Sequence, residues 1–551
     1  MAGAAAGPAR AQVPALDPAI APQALPADST QVRIVMTEVD TDSVILASAG
    51  GVTAPDVGDA PAVQFQPTGT GWNVYAGTGC AGPWRPAGTV TSSPMASPAT
   101  AGQLLTLCVG GTLSTTLQGT VSAVYNSNGQ SRAVNTLPLE DYVADVVPGE
   151  SPSSWGTLGG PGPQDQQWGF QELEAQAVAV RSYVLSNPGG YGGYADTCDL
   201  TCQTYRGTRY LTPTSQAAAQ DTAGQVMVMP TGRIATTEYS SSTGGYTSSA
   251  AEGSPFTPVP DTGDGVTGNS HHDWSTTVPK SVVAGFWGGH GPHPTVTVTK
   301  ANRNGYGTWG GRVTAVTISG GPTPTPTVVP VATFLADVDG TLGTVVQSNY
   351  FTITGQTTTT LQIEGHGWGH GIGMGQWGAL GYAIGQDNGQ GNWHYQQILD
   401  HYYQPATLQS LPGSPTAGKP SGGIGGYWEV ASDGGIFSFG NAHFYGSMGG
   451  HPLNQPVVGM AATPTGGGYW EVASDGGIFS FGAGGFQGSA AGTAGGPGTV
   501  ALLPARSGQG YLDLTGAGQT TSFGDAPQLG DMSTAVPGYD GHVVAGATTP
   551  G

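Results

Sequence analysis

Positive charge is scarce in this 551-residue sequence: 14 lysines and arginines stand against 35 aspartates and glutamates, a formal net charge of −21. The few cations are scattered. A nucleic-acid partner needs a clustered basic footprint, so the composition points away from DNA and RNA. Long apolar runs are missing too. A membrane-spanning helix needs about 18–20 consecutive apolar residues, and no such run occurs, so no transmembrane segment is expected. Cysteine is limited to Cys80, Cys108, Cys198 and Cys202. An even number at low density suits disulfides in an exported chain, with Cys80 paired to Cys108 across two strands and Cys198 to Cys202 within a loop. Half a zinc site is the rival for the second pair, although residues 191–207 hold neither a histidine nor a third cysteine. No cofactor or resident metal is called for. The first 30 residues are rich in Ala and Pro without a long apolar stretch. With Ala9-Arg10-Ala11 resembling a cleavage site, they read either as the remnant of a signal peptide or as a disordered leader.

What the chain has in abundance is glycine (95) and proline (42), together with 12 Trp, 21 Tyr and 13 Phe. Glycine at that level, far above the usual ~7%, combined with well-spread aromatics indicates a turn-rich, β-dominated globular protein. The length implies two or three domains. Residues 31–125 read as a β-rich region of short strands bounded by Gly, Pro, Ser or Asn. Helical periodicity then appears in PLEDYVADVV (138–147), where Leu139, Tyr142, Val143, Val146 and Val147 share a face. Pro148-Gly149 is expected to end that helix and leave Glu150 on a turn just beyond it. Further helices are expected at 171–186, 215–223, 375–385 and 392–403, with strands around 239–247 and through 294–364.

Residues 408–424 form a Pro/Gly/Ser-rich linker. Beyond it lies an internal repeat: YWEVASDGGIFSFG begins at Tyr427 and again at Tyr469, and a degenerate copy starts at Tyr511, a spacing of 42. Asp-Gly between apolar runs signals a hairpin. A period of this size falls in the propeller-blade range, but three copies do not close a ring of four or more blades. Residues 425–551 are therefore expected to form an all-β domain, either a partial propeller-like stack or a hairpin solenoid, suited to binding or spacing.

Six segments carry a resemblance: LPLEDYVADVVPGESPSSW (137–155), ELEAQAVAVRSYVL (172–185), CQTYRG (202–207), YSSSTGGYT (239–247), GHGWGHGIGMGQWGA (365–379) and ILDHYYQPATL (398–408). In this order they resemble the family of stage II sporulation protein D and the LytB amidase enhancers. The resemblance implies an α+β, β-rich catalytic domain with a few helices over 126–407, secreted and associated with the cell wall. It also implies a lytic transglycosylase or an accessory factor for wall amidases, with the catalytic Glu mapping onto Glu150. Two positions depart from the family pattern: Met374-Gly375-Gln376 stands for the usual Met-Ser-Gln, and Thr243-Gly244-Gly245 for Ser-Gly-Gly.

The chemistry can be argued from the residues as well. Hydrolytic glycosidases generally use two carboxylates, but muramic acid carries its own nucleophile in the C6 hydroxyl. A single buried Glu with raised proton affinity could then act as acid and base in turn. Trp155, Trp168 and Trp368 are candidate apolar neighbours of Glu150. Glu140 and Asp141 read as first-turn helix acids. Gln176, Arg181, Tyr239, Ser240, Ser241, Ser242, Gly244, Gly245, His366, His370 and Gln376 are candidate substrate-binding residues. For Arg181 a salt bridge is an equal alternative. For the Gly/His segment the alternatives are glycan approach or tight turns capped by histidine. Peptidoglycan glycan strands are the expected partner; a wall amidase or a role as a surface protein are the alternatives.

Overall fold

The computed structural model describes residues 30–37, 43–163, 166–250, 253–300, 311–322, 325–387, 392–412, 426–440, 444–463, 468–482, 484–492, 498–505, 507–536 and 542–548. The expected leader lies outside them, as does most of the 408–424 linker. The architecture is α+β and β-rich, with one large sheet, several of two or three strands and, among the described residues, no closed barrel. The chain divides into two compact units, one of Met1–Gly160 with Gln167–Ala417 and one of Pro161–Gln166 with Gly418–Gly551. Among the described residues no helix is long and apolar enough to cross a membrane.

The first unit is built on an 11-stranded sheet. In Gln31–Val35, Val32 and Ile34 enter the main core while Gln31 is exposed and Val35, on the opposite face, is buried against Val134, Ala195 and Cys198. This strand pairs antiparallel with Ser131–Pro138 and parallel with Thr197–Cys198. The sheet therefore runs across the 125/126 division expected from composition. Helices α1 (Leu139–Glu150), α2 (Phe170–Ser186) and α3 (Pro213–Asp221) share its core: Leu139, Tyr142, Val146, Leu173, Ala177 and Val180 lie with Val32, Ile34 and Phe65.

In the first unit two described α-helices were not expected from the sequence, α4 (Lys280–Phe286) and α5 (Val331–Leu342). Both contain Val and Gly, and α5 also Thr, which favour strands or loops. Packing of Val283, Phe334 and Val338 against the strands Val313–Ser319 and Thr360–His366 overrides that preference. Pro279 and Pro330 stand at their N-caps. Helices α6 (Gln376–Ala383) and α7 (Tyr395–Tyr403) close a second core with Met374, Ile398 and Tyr402.

The cysteines form two disulfides. Cys80 joins Cys108 with Cα atoms 5.6 Å apart, and Cys198 joins Cys202 at 5.3 Å. Cys80 lies in the turn after the strand Trp72–Gly77 rather than in a strand.

In the second unit each repeat supplies the expected hairpin. Gly426–Val430 pairs with Ile436–Gly440, Gly468–Ala473 with Ile478–Gly482, and Gly510–Thr515 with Thr520–Gly524. The second and third copies add an outer strand, Val457–Ala462 and Thr499–Pro504. The junctions between copies are themselves repeated. Tyr469 donates its hydroxyl proton to the Gly446 carbonyl at 2.6 Å, and Tyr511 does the same to Gly488 at 2.6 Å. A carboxylate follows the same rule: the tetrahedral position on Gly434 faces Glu471 Oε2 at 2.9 Å, and that on Gly476 faces Asp513 Oδ2 at 3.1 Å. Both glycines have positive φ (79° and 81°), as their hairpin turns require.

Candidate active site

Glu150 stands one step from where the sequence places it. Helix α1 does not end at Val147. Pro148 lies inside it, and Glu150 is its last residue. A proline removes one intrahelical donor, yet the amide of Ser151 returns to the Val147 carbonyl at 2.8 Å, so the last turn is retained. Gly149 explains what this end of α1 meets. A Cβ there would lie 2.6 Å from the Thr204 carbonyl oxygen, so only glycine lets the 202–207 segment come this close. That approach brings the Thr204 amide to Glu150 Oε1, to which it donates at 2.5 Å.

Tyr239 and Gln376 also face the Glu150 carboxyl and favour its charged form. They come from segments far apart in sequence, held side by side because Tyr239–Ser240 pairs in parallel with Met374–Gly375. Gly373 makes the pairing possible, since a Cβ on it would lie 2.2 Å from the Glu238 carbonyl oxygen. Tyr239 is oriented in turn by Gln203, whose amide donates to its hydroxyl at 2.9 Å, and Gln203 accepts from the Tyr142 hydroxyl at 2.6 Å.

Glu150 is enclosed by protein on most sides yet keeps part of its surface accessible. Burial raises its pKa above the usual carboxylate value. Thr204, Tyr239 and Gln376 oppose that rise without cancelling it. The result is a carboxyl that holds its proton more tightly than a surface glutamate and can still be reached.

The other expected residues are distributed more widely. Gln176 is buried behind Gln376, whose side chain donates to it at 3.3 Å. Arg181 makes the salt bridge given as its equal alternative. It is fully buried, paired with Glu140, and donates to the Ala219 and Gln225 carbonyls at 3.0 and 3.2 Å. Glu140, read from sequence as a helix-dipole acid, is thus the counter-ion of a buried arginine.

The loop 240–245 is organised from beneath by Asp264, which sequence reasoning missed. Asp264 accepts from the Ser242 hydroxyl at 2.8 Å, the Thr243 amide at 3.1 Å and the Gly244 amide at 2.9 Å, and its Oδ2 lies 2.8 Å from His272 Nδ1. Ser240 is buried, the Ser241 carbonyl accepts from the Trp377 amide at 3.0 Å, and Gly245 is partly exposed. His366 Nδ1 lies 2.5 Å from Asp273 Oδ1, and His370 Nδ1 accepts from the Ile372 amide at 2.9 Å.

The glycines of this segment meet protein. Positions Gly367 and Gly371 would clash with the Ser242 carbonyl and the Arg312 guanidinium, at 2.6 and 2.0 Å. Their smallness serves internal packing, the alternative to glycan approach. Of the three tryptophans named as candidate neighbours of Glu150, Trp155 meets Trp377 at a tilt with ring centres 4.7 Å apart, while Trp168 and Trp368 meet the His394 and His271 rings edge-on at 5.3 and 4.1 Å.

Thr204 and Gln203 lie in the CQTYRG segment, so their motif was visible although their role was not. Asp264 and His272 lie in a stretch with no recognisable signal.

Comparison with known proteins fits this site. Residues 127–229 match the family model of Stage II sporulation protein, SpoIID. The chain is 27% identical over 318 residues to the Amidase enhancer of Bacillus subtilis (strain 168), an alignment covering 48% of this chain and 40% of that relative. The chain thus spans about two-fifths of the length of the curated relative it matches. Glu150, Gln176, Gln203 and Thr204 fall within the matched segment, while Tyr239 and Gln376 lie beyond it. Residues 127–229 are thus similar to a SpoIID domain, and both likenesses are to cell-wall-related proteins.

Proposed function

We propose that the protein is a secreted, wall-associated lytic transglycosylase that cleaves MurNAc–GlcNAc linkages in peptidoglycan, with Glu150 as its single acid/base. The observation that carries this reading is the Glu150 carboxyl: deeply set, reachable, raised in proton affinity by burial, held by Thr204 and faced by Tyr239 and Gln376. In the proposed reaction protonated Glu150 gives its proton to the glycosidic oxygen as the C1–O bond breaks. The carboxylate so formed takes the proton of the muramoyl C6 hydroxyl, whose oxygen bonds to C1 and closes a 1,6-anhydro ring. The acid is returned to its starting state and no water is consumed. General acid–base catalysis of this kind contributes about 10²–10⁴-fold. Glu172, the nearby second carboxyl, is fully enclosed, which favours a one-carboxylate route over two-carboxylate hydrolysis.

In this reading residues 126–407 form the catalytic domain and the 42-residue repeats of 425–551 hold it on the wall. A second reading is favoured by the name of the relative: the domain assists a separate wall amidase without turning over glycan itself. One assay separates them. Purified protein and Glu150→Gln are incubated with glycan strands, with and without stem peptides, and products are read by mass spectrometry. Anhydromuramic ends from wild type and at least ~100-fold fewer from the variant are expected. No such ends from wild type on any substrate would sink the enzymatic reading, and equal product from both proteins would remove Glu150 from its role.

A further inference from the structure

Behind Glu150 lies a second buried carboxyl that the proposed reaction does not use. Glu172, in the first turn of α2, is fully buried, and among the described residues no lysine or arginine pairs with it. Its Oε1 accepts from the Ser151 hydroxyl at 2.7 Å, and Ser151 directly follows Glu150. With that proton engaged by Glu172, the same oxygen lies 3.4 Å from Gln176 Oε1, which accepts from Gln376 Nε2 at 3.3 Å, and the Gln376 side chain faces the Glu150 carboxyl. A cluster of polar groups thus surrounds this end of α1: Glu172 holds Ser151, which follows Glu150 in the chain, and Gln176 holds Gln376, which faces the Glu150 carboxyl. Two buried atoms of the cluster, Glu172 Oε2 and Gln176 Nε2, have no hydrogen-bond partner. An ionised, uncompensated Glu172 would be costly in such a place, whereas a neutral acid needs no counter-ion.

We propose that Glu172 is a positioning residue for Glu150, a neutral carboxylic acid that holds the end of α1 and the Gln376 amide in the arrangement in which Glu150 acts. Burial supports neutrality, since it pushes the Glu172 carboxyl up to about 8. The groups facing it from the packed elements do not alter this. Helix α1 offers Glu150 through Ser151, and the turn Ser153–Thr157 carries no titratable residue. On α3 and α7, Asp221 and Tyr395 lie beside Glu174 on the same helix, and on α6 Tyr382 is bonded to Thr262. The strand Gln225–Val228 has no ionisable side chain, and Arg181 is engaged by Glu140 farther along α2.

The proposal rests on Glu150 being the working carboxyl, and its test is chosen to stand without turnover. Full-length protein labelled with ¹³C at the glutamate carboxyl carbons is titrated by NMR, with Glu150→Gln identifying the Glu150 signal. Glu172→Gln, neutral and able to accept from Ser151, should leave the Glu150 titration in place. Glu172→Leu and Ser151→Ala should each move it upward by about 0.5 unit, because the Gln376 side chain that favours the charged form is loosened. The double variant should move it no further than either single change, as expected for residues in one network.

In turnover on glycan strands the two disruptive variants should lose about tenfold in kcat at unchanged KM, with Glu172→Gln restoring it. Additive shifts, or a Glu150 titration that moves in Glu172→Gln but not in Glu172→Leu, would overturn the proposal. Absence of glycan cleavage by wild type would refute the transglycosylase reading alone, since the titration still decides this one. If Glu172→Leu does not fold, Ser151→Ala carries the same expectation and the same refutation.

Discussion

Replacing Glu172 and Glu174 together by glutamine should change how the stability of the first unit depends on pH. Both carboxyls lie inside α2 and are pushed by burial up to about 8, from an ordinary 4.5. Between those values the unfolded chain has released both protons while the folded chain retains them. Their contribution to stability is therefore complete below about 4.5 and is lost as pH rises toward 8. Each group gives a slope of about 1.4 kcal/mol per pH unit. From pH 5.5 to 7.5 the pair amounts to about 5 kcal/mol in the rigid limit. Water entry and relaxation raise the effective dielectric of such sites, so a loss of roughly 2–3 kcal/mol is the working expectation. The assay is amide exchange of the 170–186 peptide, corrected for intrinsic rate, followed through urea at pH 5.5, 6.5 and 7.5. Wild type should lose that much more than the double variant across the range. Parallel curves, or a wild type that gains stability relative to the variant as pH rises, would refute neutral burial of these acids.

Glu140→Ala should cost about 3–5 kcal/mol, because it leaves the fully buried Arg181 without its counter-ion. Arg181→Met should cost less, since Glu140 keeps 25% of its side chain exposed and can rehydrate; equal losses in urea titrations would contradict this asymmetry. Asp264→Asn should speed amide exchange of residues 242–245 at least tenfold, as a carboxylate with three protein donors and an adjacent histidine is weakened. Unchanged exchange there would mean the loop is held by other contacts. Tyr469→Phe should destabilise the second unit by about 1 kcal/mol by removing the bond to Gly446, read as an earlier urea midpoint for the repeat peptides alone.

Local pattern carried α1, α2 and α7 through the spacing of their apolar residues, and it carried the first two hairpins because Asp-Gly-Gly marks their turns, the third following from the 42-residue repeat. It misplaced the end of α1 because Pro148 normally stops a helix, whereas the Ser151–Val147 bond continues this one. It missed α4 and α5, where tertiary packing outweighs the preference of Val and Thr. At the site, motif resemblance reached Tyr239 and Gln376, but nothing local shows that a parallel pairing of two residues brings them together. Arg181 is a similar case. The sequence leaves ligand and salt bridge as equal readings, and only the fold shows its pairing with Glu140, 41 residues away. Asp264 was illegible because its role is to satisfy backbone amides of a distant loop, a task that leaves no periodic trace.

The junctions in the second unit have a further consequence. Each is made by an equivalent tyrosine bonding the preceding copy, with an acid, Glu471 or Asp513, set against the turn glycine of that copy, at an offset of 42 residues. Gain or loss of whole copies therefore preserves the chemistry of every remaining junction, whereas an insertion of any other length breaks the lock on one side. The array behaves as a ruler graduated in single copies: its reach can be lengthened or shortened by duplication alone, with no new contact to be invented and no change in the domain that carries Glu150.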